Sequence, residues 1–172
     1  MNNIPIIDIT DLKSGDPEKR KTVVDSLCRA FHEIGFVAVQ GHGISQSLLG
    51  EMRQQVIELF NRPLEEKLSL VVQQYNYRGY VPNGFFTPNR AGETNKQQAY
   101  DQYEAYKLHY ETALDDPIRK CCSLYGPNKW PKSSRQLKNV VSNYWRECDR
   151  LTQHLLGAIS DYLNLDNGYF QK

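Results

Sequence analysis

The chain lacks a long hydrophobic run, a strong charge of either sign and any paired-cysteine spacing, and each absence removes a class of function. Its longest stretch without a charged side chain, Ile34 to Gly50, contains Gln40, His42, Ser45, Gln46 and Ser47. Those polar groups would go unsatisfied in lipid, so no membrane span is expected. The opening MNNIPIIDIT has no basic region followed by an apolar core, so no secretory signal is expected. Basic residues number 21 and acidic residues 20, for a net charge of +1. That balance withholds the general attraction on which nucleic-acid and membrane-surface binding relies. Among the four cysteines, Cys121 and Cys122 are adjacent rather than spaced as C-x-x-C, and no second pair follows, which argues against a zinc site. Cys28 and Cys148 fall on apolar helix faces, the common place for structural free thiols, and imply a reducing, cytoplasmic setting. No dinucleotide fingerprint, phosphate-binding loop, nucleophile elbow or internal repeat occurs.

What is present is the composition of a folded domain. Of 172 residues, 40% are hydrophobic and 24% charged, enough for one unit with its own core. Ile4-Pro5-Ile6-Ile7-Asp8-Ile9 reads as an opening edge strand, with Pro5 confined to its start. Asp16-Pro17 supplies the N-cap and first-turn proline of a helix whose apolar residues, Val23, Val24, Leu27, Ala30, Phe31 and Ile34, recur every three or four positions. Gly35 stops it. Phe36-Val37-Ala38-Val39 predicts a second strand, and Gly41-His42-Gly43 turns the chain toward Ser45, the expected N-cap of a helix through Phe60. Pro63 at the first helical position, with Glu65 and Glu66 behind it, predicts a short helix through Leu70. Leu137, Val141, Tyr144, Cys148, Leu151, Leu155, Ala158 and Tyr162 mark a long amphipathic helix over about 133–164.

The middle of the chain has a different character. Eight of the eleven tyrosines lie between Tyr75 and Tyr125, where helical periodicity disappears. An aromatic-rich mobile loop is expected over about 75–98, turn-rich from Pro82 onward. The stretch from Ala99 to Tyr110 fits either period, and the alternation from Glu104 to Tyr110 favours a strand. Charge is uneven: residues 93–116 hold six acids and two bases, residues 117–152 eight bases and two acids. As a nucleic-acid surface the bases would take phosphate and the tyrosines would stack. The bases lie mainly on the polar face of the long helix, where a solvated surface is the plainer reading, and no nucleic-acid partner is expected. Of the histidines, His32 is expected at solvent and His42 bonded to nearby backbone. His109-Tyr110-Glu111 with His154 beyond has the sequence form of an iron facial triad. Such spacings recur by accident, and His154 sits inside a helical pattern unlike a strand-borne ligand.

Several short phrases follow one another in a telling order. They are Ile4-Pro5-Ile6-Ile7-Asp8, then Ala30-Phe31-His32-Glu33-Ile34-Gly35-Phe36 running on through His42-Gly43-Ile44, then Leu59-Phe60 with Pro63-Leu64-Glu65-Glu66-Lys67. Arg78-Gly79-Tyr80 comes next, then Asp101 with Glu104 and Tyr106, then Asn128-Lys129-Trp130-Pro131 before the long helix. In this order, from Ile4 to Leu165, the chain resembles the N-terminal region of non-haem Fe(II), 2-oxoglutarate-dependent dioxygenases of the isopenicillin N synthase-like type.

The resemblance implies an α+β fold over residues 1–172, a helical and edge-strand region that packs on a double-stranded β-helix (jelly-roll) domain. In that family the iron ligands, a His-x-Asp pair and a distal His, and the Arg that holds 2-oxoglutarate belong to the β-helix. No position here matches those motifs, so the β-helix and the iron ligands are expected to be missing from this chain. Alone, it is expected to bind neither Fe(II) nor 2-oxoglutarate and to be inactive. The complete enzyme would use both to oxidise a small-molecule substrate. By the same resemblance Arg78 and Tyr80 approach that substrate, an Arg fixing a carboxylate bidentately and a Tyr offering an apolar face with one hydroxyl. A scaffold lacking its partner domain implies self-association through the uncovered surface. A standalone binding or regulatory module built on the same scaffold stays open as the alternative.

Overall fold

A computed structural model describes residues 3–85, 102–122, 125–132, 134–166 and 168–171. The chain divides into two units, residues 1–53 with 139–172, and residues 54–138. Both mix helices with a small sheet, so the class is α+β.

In the first unit β1 (Ile6–Asp8) pairs in parallel with β2 (Ala38–Gln40), with Ile6 opposite Ala38 and Asp8 opposite Gln40. Parallel neighbours need a crossover, and α1 (Pro17–Glu33) supplies it. The Asp16 carboxylate caps α1 by accepting the Glu18 and Lys19 amides at 3.0 and 3.4 Å. Leu27, fully buried, centres a core with Ile9, Leu12, Val23, Val24, Cys28 and Ala158, and Ile7 and Val39 pack on it from the sheet. Ala158 comes from α5 (Arg135–Tyr162), whose C-terminal end is tied to α1 where the Arg20 guanidinium meets the Asp161 carboxylate, Nε to Oδ2 at 3.0 Å. Burial pushes the Cys28 thiol up, as befits a structural cysteine. After β2 the chain turns tightly through Gly41, at φ +69°, where a Cβ would lie 2.2 Å from Thr10 Oγ1 and 2.3 Å from Asp8 Oδ1. The expected local bonds are present: His42 Nδ1 accepts the Ile44 amide at 3.0 Å, and Ser45 Oγ accepts the Leu48 amide at 3.2 Å. Ser45 thereby caps α2 (Gln46–Phe60).

In the second unit α3 (Leu64–Leu68) begins one residue later than the sequence suggests, with Pro63 as its N-cap. β3 (Gly79–Val81) runs antiparallel to β4 (Ala105–Lys107), with Tyr80 opposite Tyr106. The other edge of β3 is also paired: Tyr80 N–H reaches Leu70 O at 2.9 Å, and Val72 N–H reaches Tyr80 O at 3.0 Å. All three β3 residues are buried. Within the loop expected over 75–98, residues 79–81 are therefore strand instead. Three residues are too few to display alternation, and the partners that make them a strand lie at 70–72 and 105–107. Residues 86–98 of that expected loop lie outside the described residues. The ambiguous stretch resolves as strand at 105–107, and α5 covers 135–162 of the long helix expected at 133–164. The short α4 (Ile118–Cys121) was not legible in advance. Among the described residues no helix is long and apolar enough to cross a membrane.

Gly79 holds a position only glycine fits. At φ +117° an added Cβ would lie 2.1 Å from the Leu70 carbonyl oxygen. Gly79→Ala is expected to lower unfolding free energy by on the order of 2–4 kcal/mol, through strain plus overpacking. Gly15→Ala, where nothing lies within 4 Å, should stay within about 0.5 kcal/mol. Urea unfolding of the two variants beside wild type measures the contrast.

Candidate functional site

The second unit brings both expected substrate residues together, and it buries them. Arg78 is 1% exposed and Tyr80 2%. Buried polar groups need partners. An Arg78 terminal nitrogen donates to Tyr110 O at 3.2 Å and to Asn128 Oδ1 at 3.4 Å. Asn128 is itself buried and pairs with both backbone groups of His109: its Oδ1 accepts the His109 amide at 3.0 Å and its Nδ2 donates to the His109 carbonyl at 2.7 Å. A side-chain amide thus does for His109 what a neighbouring strand would. Burial pulls the Arg78 guanidinium down, opposed by the Glu111 carboxylate, and an Arg remains charged regardless. Burial, with the charges of Arg78 and Lys107, also holds the His109 imidazole below its ordinary range.

Tyr80 reaches a different group. Its hydroxyl donates to Glu104 Oε2 at 2.5 Å, and Lys67 Nζ donates to the same oxygen at 2.9 Å and to Phe60 O at 2.9 Å. The Lys67 ammonium also lies 5.2 Å from the centre of the Tyr80 ring, within cation–π range. The Tyr80 hydroxyl and then Lys67 hold the Glu104 carboxyl below its usual range. Tyr80 is pushed up to about 12 by burial and then by its bond to Glu104. Nearby, Lys129 Nζ donates to Val71 O and Gln73 Oε1, while Tyr106 donates its hydroxyl to Lys129 O at 2.5 Å.

The facial-triad reading fails on Glu111. Trp130 Nε1 donates to one of its oxygens at 3.1 Å and Lys138 Nζ to the other at 3.2 Å. Burial works to raise this carboxyl, and the two bonds outweigh it and lower it. A carboxylate engaged at both oxygens does not fit the role of an iron ligand with room for exchange. His154 lies on the part of α5 that belongs to the first unit, where burial and the charges of Lys13 and Arg20 lower it. Among the described residues no three His, Cys, Asp or Glu side chains meet as a metal-holding group. The charged groups of this arrangement bond to carbonyls, side-chain amides and one another, and so hold chain segments in place.

Residues 4–133 match the family of non-haem dioxygenase in morphine synthesis N-terminal domains. The chain belongs to this dioxygenase N-terminal family. It is 32% identical over 166 residues to homoarginine-6-hydroxylase 2-ODD-C23.2 of Arabidopsis thaliana, covering 91% of this chain and 44% of the relative. It is 35% identical over 176 residues to kihadalactone A synthase LFS of Citrus sinensis, covering 99% of this chain and 49% of the relative. The chain spans about half the length of the curated relatives it matches. Among solved structures, a 2OG-Fe(II) oxygenase family protein from Caulobacter crescentus superposes with a TM-score of 0.80 at 20% identity, over 99% of this chain and 52% of that one. The rice dioxygenase for auxin oxidation superposes at 0.63 and 25%, over 99% and 48%. The fold is that of the N-terminal part of 2-oxoglutarate oxygenases.

Lys67, Glu104, Asn128 and Lys129 stand inside the phrases that carried the resemblance, yet their pairing could not be read from them. Their contacts reach as far as 58 positions along the chain, which no local period reports.

The two buried tyrosines make a test at alkaline pH. Tyr80 and Tyr106 hold their protons to about 12 in the folded chain, both chiefly through burial, against an ordinary value of 10.0. A raised folded value contributes stability that is complete below the unfolded value and lost as pH rises through the folded one. The wild type should therefore lose stability between about pH 10 and pH 12, and a Tyr80→Phe, Tyr106→Phe variant should lose less over that window, as read from urea midpoints at each pH.

Proposed function

We propose that this chain is the N-terminal scaffold of an Fe(II)- and 2-oxoglutarate-dependent oxygenase that oxidises a small molecule. The observation that carries the reading is the family match over residues 4–133 together with relatives about twice as long. When bound, Fe(II) and 2-oxoglutarate would supply oxygen activation, and in this reading a double-stranded β-helix outside these residues holds both. The engagement of Glu111 supports that division, since Trp130 and Lys138 occupy both of its oxygens. The substrate class stays at a small molecule. One relative's name specifies homoarginine, and a full-length Neurospora crassa protein of the same fold is known in complex with alpha-KG and thymine.

A second observation favours a docking role. The outer face of the β1–β2 pair exposes Ile6 at 71%, Ile4 at 56% and Phe36 at 68%. Parallel strands are normally covered on both faces. The catalytic domain would cover this one, and in its absence two copies of the chain would associate there. Arg78 and Tyr80 serve the substrate by position: pinned through Asn128 and Glu104, they fix the strand from which the chain leaves toward residue 86.

The test is a chimera in which residues 4–165 replace the matching half of the Arabidopsis homoarginine-6-hydroxylase. It should form succinate from 2-oxoglutarate with Fe(II) and O₂, whereas the 172-residue chain alone should form none. Turnover by the chain alone, or a folded chimera without turnover, would overturn the division of labour.

A further inference from the structure

The helix α4 ends in two adjacent free thiols, with Cys121 exposed and Cys122 half-buried. Neither takes part in the cluster around Arg78 and Tyr80. Cys121 keeps helical backbone while Cys122 turns extended, at φ −141° and ψ 114°. Consecutive Cα atoms lie about 3.8 Å apart, closer than the roughly 4.4–6.8 Å a relaxed disulfide spans. A bond between these sulfurs therefore closes a small strained ring through one peptide bond, and strained, exposed disulfides are the easily reduced ones.

The surroundings add a charge preference. Ahead of α4, Asp116 Oδ1 accepts the Ile118 amide at 3.0 Å. The bases of α4, Arg119 and Lys120, sit at the end that carries the thiols. Arg119 Nε donates to Tyr125 O at 3.1 Å, which holds the guanidinium beside the turn that follows. An anionic small disulfide meets a positive end and an open sulfur there. Cys28, by contrast, is 6% exposed inside the first unit's core.

We propose that Cys121 and Cys122 form a reversible thiol–disulfide site that takes an anionic low-molecular-weight disulfide of the glutathione class. The Cys121 thiolate attacks one sulfur of that disulfide; the small S–S bond breaks, one small thiolate leaves, and Cys121 carries a mixed disulfide. The Cys122 thiolate then attacks Cys121 Sγ, the mixed bond breaks, the second small thiolate leaves, and the ring closes. Two electrons pass from the cysteines to the small disulfide, and the two cysteine protons end on the two small thiols. Excess small thiol runs both steps backward. Ring closure turns the Cys121–Cys122 peptide, whose N–H reaches Ile118 O at 2.9 Å.

The experiment incubates the 172-residue chain with glutathione disulfide, quenches with acid and maps tryptic masses. The peptide from Cys121 to Lys129 should lose two hydrogens and regain them with reduced glutathione. In Cys122→Ser the reaction should stop with one glutathione on Cys121, and in Cys121→Ser uptake at Cys122 should be about tenfold slower, following its lesser exposure. An unmodified Cys121–Lys129 peptide while the Cys148 peptide takes up glutathione overturns the proposal. So does a wild-type adduct that never advances to the ring. The wild-type arm needs no variant, so it decides the matter even if a serine variant misfolds.

Discussion

A buried guanidinium constrains everything around it. Removing an ion from water costs several kcal/mol unless polar partners replace the lost hydration, and Arg78 is among the most deeply buried side chains of the chain. Asn128 meets part of that need, and it can do so only in one orientation. Its amide is held by both backbone groups of His109, which fixes the oxygen toward Arg78. The preceding backbone is then constrained as well. Asn76 Nδ2 donates to Pro127 O at 3.0 Å, and a Cβ at Gly126 would lie 2.7 Å from Asn76 Cγ. Arg78 and Asn76 together thereby hold the chain from Gly126 to Asn128.

The neighbouring Lys67–Glu104–Tyr80 contact answers a different difficulty. Strands of three residues cannot fix their register by alternation of apolar and polar side chains, because a slip by one residue breaks too few contacts. Polar side chains with a single geometric solution can. The Tyr80 hydroxyl and the Lys67 ammonium converge on one oxygen of Glu104, just ahead of β4, and that convergence aligns Tyr80 with Tyr106. An ion pair whose Glu104 side chain is 35% exposed is weak evidence for stability. Its stronger contribution here is specificity, in that it chooses one pairing among several that a short, tyrosine-rich sheet would otherwise accept.

What the sequence discloses follows the reach of its signals. Helices α1, α2 and α5 are legible because their apolar spacing and caps, Asp16 and Ser45, act within one or two turns. β4 is legible because Glu104 to Tyr110 alternates. β3 is not, since Arg78 and Gly79 interrupt any apolar pattern and its partners come from two other stretches. α4, at four residues, is too short for a period. In the candidate site the residue types were visible while their partners were not. The resemblance singles out Arg78 and Tyr80, but neither residue type discloses that the chain buries it.

The same reasoning explains why the resemblance survives as scattered phrases. A hydrophobic core accepts many combinations of similar total volume, so the core residues Val23, Leu27 and Ala158 carry little that is distinctive. A glycine at φ +117° against a carbonyl, or an asparagine bonded to both backbone groups of another residue, has no substitute. Glu-Glu-Lys67, Arg78-Gly79-Tyr80, Glu104 with Tyr106, and Asn128-Lys129-Trp130-Pro131 are far apart in the chain and meet in one place. Each phrase looks weak because half of its meaning lies in another. The family is recognisable where geometry leaves the fewest alternatives, and those positions form the frame on which the rest of the second unit is hung.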